Sequence, residues 1–196
     1  MEKVFINNFV KFVPGINQSR VEKYDLDEKD EFYDQTSFEF DFLHIDLDYC
    51  ENSMNNNADG ATNIYLNAGD VVISNSMQLA TTVSPNNSGK VLSINFTKVE
   101  FTSNRLNKGY FIYLFNAFKS IKRQKEREAQ GSGLIQRITL NSLGQIKFPY
   151  VPIQEQVQIG TIYIEMLMMK NKFNKYSLLL EQLTYTVLEE RLKEER

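Results

Sequence analysis

The sequence predicts an α+β chain: a mixed α/β domain over residues 1–153, followed by a long C-terminal coiled-coil helix over residues 154–196. Three observations carry this. Short apolar runs separated by Gly, Pro and Asn fill the first part, as strands and turns do. One helical apolar stripe interrupts them after Asn107. Beyond Pro152 the apolar residues recur at alternating steps of three and four, with no Gly or Pro after Gly160. The 196 residues suit one ordinary domain with an appendage, and 14 Phe and 10 Tyr supply a core.

Val4, Ile6 and Phe9 to Val13 predict an opening strand, cut by Pro14-Gly15 and the polar loop from Ile16 to Arg20. Phe38, Phe40 and Phe42 alternate with Glu39 and Asp41, the period of a half-buried strand. The phase then shifts to Leu43, Ile45, Leu47 and Tyr49, which predicts a bulge or bend near Phe42. Residues 51–63 read as a polar loop, and Val71-Val72-Ile73 as a short buried strand. Leu92, Ile94 and Phe96, then Val99 and Phe101, read as another strand with one irregularity. A helix of about five turns is expected from an N-cap at Asn107, its buried stripe being Phe111, Leu114, Phe115, Phe118 and Ile121. Gln130 to Gly133 ends it. A strand at Leu134–Thr139, a turn or short helix at Asn141–Gly144 and Ile146–Phe148 lead to Pro149 and Pro152.

The final helix carries Ile159, Ile162, Met166, Met169, Phe173, Tyr176, Leu180, Leu183 and Val187 as an a/d seam. From about Gln154 onward it spans roughly 60 Å, too long to bury that seam against one small domain. The seam therefore calls for a partner helix, with Ile162 to Val187 as the dimerisation residues. Met166, Met168 and Met169 are seam and packing residues, not a cofactor box.

The net charge of −3 conceals a segregation. From Glu22 to Glu51 there are twelve acids against two lysines; from Phe101 to Tyr150 there are nine bases against Glu126 and Glu128. Two faces of opposite sign are expected, one suited to a polyanion. The lone Cys50 forms no internal disulfide and fits a reducing cytoplasm, which leaves the sequons at Asn17, Asn86 and Asn95 without consequence. No apolar run reaches membrane-spanning length. No catalytic or cofactor chemistry is signalled either. The chain lacks a phosphate-cradling Gly-rich loop, a methyl-donor loop and the Asp/Asn-Pro-Pro-aromatic tetrad of base methylation.

Three segments together resemble the specificity subunit of type I restriction–modification enzymes. They are Gly131-Ser-Gly-Leu-Ile-Gln-Arg-Ile-Thr139, Leu143-Gly-Gln-Ile-Lys-Phe-Pro149, and Val151-Pro-Ile-Gln-Glu-Gln-Val-Gln-Ile-Gly160. Leu66-Asn-Ala-Gly-Asp-Val-Val-Ile-Ser74 is similar to that family's mid-domain strand, and Gly15-Ile-Asn-Gln-Ser-Arg20 to its N-terminal loop. The most specific part is Pro152, Glu155 and Gln156 followed by the heptad helix. The resemblance implies a target-recognition domain that reads DNA and a helix that docks DNA methyltransferase subunits, with a restriction/translocase subunit joined indirectly. It also implies that catalysis belongs to those partners. Family subunits resemble two such domains joined by two antiparallel helices. One domain with one helix points to a homodimeric half-subunit that selects a split target. Pro149 and Pro152 hold the exit from the domain extended, and Glu155 complements the helix dipole.

Candidate DNA contacts follow from residue type. Lys119, Lys122, Arg123, Lys125 and Arg127 form the basic end of the predicted helix and, with Arg137, suit phosphates and base edges. Gln18, Ser19 and Arg20 sit in a loop suited to reading bases. Asn75, Ser76 and Gln78 are amide-rich and suit adenine. Arg105 and Lys108 read as surface charges. His44, with only Cys50 nearby, reads as a structural or surface histidine, not a metal ligand. Glu39, Asp41, Asp46 and Asp48 read as the solvent face of a strand. Three rivals remain at this level: a truncated recognition cassette or decoy, a coiled-coil interaction protein without DNA binding, and a nuclease on the acidic 38–48 strand. The last lacks a paired lysine.

Overall fold

The computed structural model describes residues 3–17, 30–51, 64–129 and 138–194. The predicted strand at Leu134–Thr139 and the loop at 51–63 fall wholly or mainly outside these residues.

Strand β1 (Lys3–Phe5) and a single 3-10 turn lead into β2 (Val10–Pro14). β2 pairs antiparallel with β7 (Phe96–Phe101), which pairs with β4 (Val71–Ser74), which pairs with β5 (Leu79–Thr82). This four-stranded sheet, in the order β2-β7-β4-β5, is the centre of the domain. β3 (Phe32–Tyr33) pairs parallel with β6 (Val91–Leu92), and β8 (Lys147–Pro149) pairs antiparallel with β1.

β4 shows why the sheet lies inside. Val71 and Ile73 join a core shared with the helices, while Val72 joins a second core on the other face, with Tyr33, Phe38, Leu66, Leu92 and Phe96. A strand apolar on both sides must be covered on both sides.

The segment expected as a strand at 38–48 is instead helical. α1 (Gln35–Leu43) is followed by α2 (Asp48–Glu51). The Asp34 carboxylate caps α1 by accepting from the backbone N–H and the hydroxyl of Ser37, both at 2.8 Å. Phe38 and Phe42, four residues apart, stack at 6.2 Å on one face, and Phe40 and His44 stack at 4.2 Å on another. An alternating Phe-x-Phe-x-Phe run contains i,i+4 pairs, and the cap decided between the two periods.

The long helix expected from Asn107 is two helices. α3 (Lys108–Asn116) has its N-cap at Asn107, whose side chain accepts from the Tyr110 N–H at 3.0 Å. The chain turns at Ala117 and Phe118, where Phe118 is extended, and α4 (Lys119–Glu128) begins. α3 is buried nearly all round, with Phe111, Ile112, Leu114 and Phe115 in the core. α4 is basic and must reach water, so one straight axis does not serve both. α5 (Leu140–Gly144) and β8 then lead to α6 (Ile153–Glu194), 42 residues long.

The start of α6 belongs to the domain. Gln156 is fully buried: its Oε1 accepts from the Asn107 N–H at 3.0 Å, and its Nε2 donates to the Arg105 and Val151 carbonyls at 2.9 and 2.8 Å. One turn on, Gly160 lies against α3. A β-carbon there would stand 2.6 Å from the Tyr110 nitrogen and 2.8 Å from the Gly109 carbonyl carbon. Ile164 and Leu167 complete this buried face. Asn171 donates to the carbonyls of Phe42 and Leu43, at the end of α1, and from Lys172 onward every described side chain is exposed.

Two variants test this anchorage. Gln156→Leu should lower unfolding stability by about 1–3 kcal/mol for each backbone group left unpaired, read from urea unfolding. Gly160→Val should destabilise further, because backbone and not a flexible side chain opposes the new atoms.

Candidate nucleic-acid interface

The turn joining β4 to β5 contains three predicted DNA contacts, Asn75, Ser76 and Gln78. It is tight: the Gln78 N–H donates to the Ser74 carbonyl at 2.9 Å, and Gln78 holds φ at 54°. A non-glycine residue there is strained unless held. Its side chain donates to the Asn75 carbonyl at 2.8 Å, and its own carbonyl accepts from Lys125 Nζ at 2.7 Å.

Lys125, expected among the DNA contacts, is buried in the domain. Its side chain turns inward, donates also to the Phe115 carbonyl at 2.8 Å, and sits 3.9 Å over the Phe115 ring. Desolvation, with the Lys122 charge nearby as a lesser cause, pushes its pKa down to about 8. Helical phase explains the difference from its neighbours. Lys119, Lys122, Arg123 and Arg127 are exposed, whereas Ile121 and Lys125, one turn apart, face inward.

Asn75 links this turn to the one between β6 and β7. Its backbone N–H donates to Asn95, its side chain donates to the Ile94 carbonyl, and Thr97 donates to its Oδ1, at 3.0, 3.3 and 2.8 Å. The amide expected to read adenine is thus engaged within the protein, and Ser76 is exposed beside it. Beneath lies a cavity of about 470 Å³ reaching Ile16, Asn17, Phe32, Gln35, Ser76 and Ile94. On the other side of Met77 a groove of about 290 Å³ runs toward α4, touched by Gln78, Asn116 and Lys122. The structure thereby brings Gln78 to one groove with Lys122, while Ser76 lines the cavity with Ile94. Lys119 and Arg123 do not line that groove. Gln18, Ser19, Arg20 and Arg137 lie outside the described residues.

Other charges serve the interior. Asp70 and Lys98 form a buried ion pair at 2.6 Å. Asp41, expected on a solvent face, is buried and accepts from the Tyr33 hydroxyl, the Ser84 N–H and the Asn87 amide. Burial, with the Asp41 charge beside it, raises the Tyr33 pKa. Lys108, read as a surface charge, donates to the Gly69 carbonyl at 2.7 Å, and burial lowers its pKa. Arg105 covers the Phe9 ring at 5.2 Å. His44 is exposed with Nδ1 2.8 Å from the Phe40 carbonyl oxygen, and Cys50 is buried. Among the described residues no His, Cys, Asp or Glu cluster suits a metal, and no helix is long and apolar enough to cross a membrane.

This arrangement, an exposed basic helix beside a braced polar turn with a long helix leaving the domain, meets a family model for the type I restriction modification DNA specificity domain over residues 4–181. The chain belongs to that family. It is accordingly a specificity domain and not a catalytic one. The fold is similar to the HsdS subunit from Thermoanaerobacter tengcongensis, at 14% identity and a TM-score of 0.53, over 90% of this chain and 39% of that one. A type I restriction–modification system S subunit from M. genitalium matches at 15% identity and a TM-score of 0.49, over 82% of this chain and 37% of that one. The chain thus spans less than two-fifths of either subunit. No curated protein matches it.

Lys125 makes this specificity domain pH-sensitive in a defined sense. Its folded pKa lies below the unfolded value, so between about pH 8 and 10.5 the unfolded chain binds more protons at this site. Burial of the charge opposes folding below pH 8, and that penalty fades as pH rises. The melting temperature of the wild type should therefore gain on that of Lys125→Met between pH 7 and pH 10. A constant difference over that range would contradict it.

Proposed function

We propose that this chain is a homodimeric half-subunit that selects a split DNA target and directs DNA methyltransferase subunits to it. The observation that carries the reading is the exposed seam of α6. Ile162, Met169, Phe173, Tyr176, Leu180 and Leu183 are each about 60–67% exposed on a helix with no neighbour beyond Asn171 among the described residues. Met166 and Val187 are 46% and 47% exposed. A continuous apolar stripe of this length on a soluble surface marks an interface. From Ile162 to Val187 its steps are four, three, four, three, four, three, four, the same in either direction. A second copy laid antiparallel therefore matches Ile162 with Val187, Met166 with Leu183, Met169 with Leu180 and Phe173 with Tyr176. The twofold axis passes between Phe173 and Tyr176. The domain-facing residues Gln156, Gly160, Ile164 and Leu167 lie on a different face, so docking the helix on its own domain leaves the seam free.

Two domains related by a twofold axis read inverted copies of one short sequence. The basic residues of α4 supply the phosphate contacts that hold the register, and Gln18 and Arg20 join in reading bases. A net charge of −3 gives weak binding by the chain alone, tightened when the methyltransferase encloses the duplex.

Sedimentation should show a dimer at micromolar concentration, and Phe173→Glu with Leu180→Glu should release folded monomers, since each places a charge in the seam. A monomeric wild type would remove the main support. The methylome of cells with the gene, compared with cells without it, should show a modified site palindromic in its two halves around an unread spacer. Lys122→Ala should weaken binding to all sequences and flatten the salt dependence by about one unit of log–log slope, whereas Arg20→Ala should relax discrimination.

A further inference from the structure

Two large apolar side chains on the domain stand out in water beside the braced turns: Ile94, 50% exposed, and Met77, 43% exposed. Neither rides on a loose loop. The Ile94 N–H donates to the Ile16 carbonyl at 2.8 Å, and its carbonyl accepts from Asn75 at 3.3 Å, so its backbone is held at both ends. Gly15 lies so close against the Ser93 carbonyl that any side chain there would collide, which locks the end of β2 to the same turn. Met77 sits at the tip of the strained turn that Lys125 braces, and Gln35 Nε2 lies 3.0 Å from its sulfur.

Between these elements the 470 Å³ cavity is lined by the apolar Phe32, Ile94 and Phe96 and by the amide-bearing Asn17, Gln35 and Asn95. That pairing of a small apolar surface with side-chain amides is the complement of a thymine·adenine pair. In the major groove thymine presents its 5-methyl group, and adenine presents the N6 donor and N7 acceptor that an Asn or Gln amide matches. The charge at the rim argues the same way. The backbone N–H of Ser37 holds the Asp34 carboxyl below its usual range, so this exposed rim residue is anionic at neutral pH. An anion at the mouth turns away a phosphate but not a neutral base edge. Lys122, a cation suited to a phosphate, instead lines the groove on the far side of Met77.

We propose that this cavity is a base-reading subsite for a thymine·adenine pair, with Ile94 against the thymine methyl and the amides of Gln35 and Asn95 against the adenine edge. The assignment rests on the DNA-reading function proposed above and names the base that one part of the domain selects.

The test uses the full chain with its methyltransferase subunits and a random duplex library. The selected site is then resynthesised with deoxyuridine replacing each thymidine in turn, which removes only the 5-methyl group. At one thymine per half-site, wild-type affinity should fall about three- to fivefold, the worth of one buried methyl. Ile94→Ala should bind more weakly and no longer distinguish thymine from uracil at that position. Lys122→Ala should keep the full distinction at reduced affinity. Because Ile94 is exposed, its replacement leaves the core intact, and circular dichroism confirms the fold. A selected site without thymine overturns the subsite and leaves DNA reading standing. So does a thymine-to-uracil ratio unchanged in Ile94→Ala. A library that yields no selected sequence overturns both proposals.

Discussion

The buried amide of Gln156 binds three backbone groups at one point: the N–H of Asn107 that opens α3, and the carbonyls of Arg105 and Val151 that precede α3 and α6. Asn107 in turn caps α3 through its own side chain. The first turn of the buried helix and the first turn of the projecting helix are therefore parts of one hydrogen-bonded unit. Gly160 then lets the two backbones touch, so the angle between α6 and the domain is set by contact without intervening side chains. A specificity domain has to present its reading surface to DNA in one orientation relative to whatever holds its helix. A flexible hinge at this point would let the β4–β5 turn and the seam move independently of each other. Pro149 and Pro152 stiffen the approach, and Gln156 and Gly160 secure it.

A second theme is the use of charge inside the domain. Lys98 with Asp70, Lys125 on two carbonyls and Asp41 on three donors all lie inside, the last two where the sequence suggests surface. Each is fully engaged, as buried charge must be. Their effect is to pin segments that carry no regular structure: Asp70 holds the approach to β4, Asp41 ties α1 to the segment after β5, and Lys125 holds the β4–β5 turn. Removing these groups from the surface tally leaves Lys119, Lys122, Arg123 and Arg127 as the exposed basic group of α4. The exposed basic surface of α4 is smaller and more local than the raw count of bases implies.

The expectations drawn from sequence divide along a physical line. Features set by neighbours in the chain were legible: the Asn107 cap, the short buried strand at Val71–Ile73, the turn or short helix at Asn141–Gly144, and above all the heptad helix of α6. A repeat sustained over four heptads has no competing reading, and family membership followed from the segment that opens it. Period alone misled at α1, because Phe38, Phe40 and Phe42 satisfy a strand and an i,i+4 helix face alike. Composition did not show that Lys125 turns inward, because one residue's phase on a helix decides whether its amine meets water or a carbonyl. The Asp34-x-x-Ser37 cap and the i,i+4 spacing of Ile121 and Lys125 were the signals available for both.

The sequence by itself determined that a mixed domain is followed by a helix too long to be buried against that domain, since local propensity and hydrophobic period act over a few residues. Only the tertiary structure decided which face of that helix the domain keeps and which it leaves free. It also decided which lysine braces a turn and which faces solvent, and that two turns distant in sequence close over one cavity. Those outcomes depend on contacts between residues that sequence spacing does not relate, such as Asn75 with Ile94, Lys125 with Gln78, and Gln156 with Asn107. They are settled by which arrangement leaves no buried polar group of the anchor unpaired and no backbone in collision.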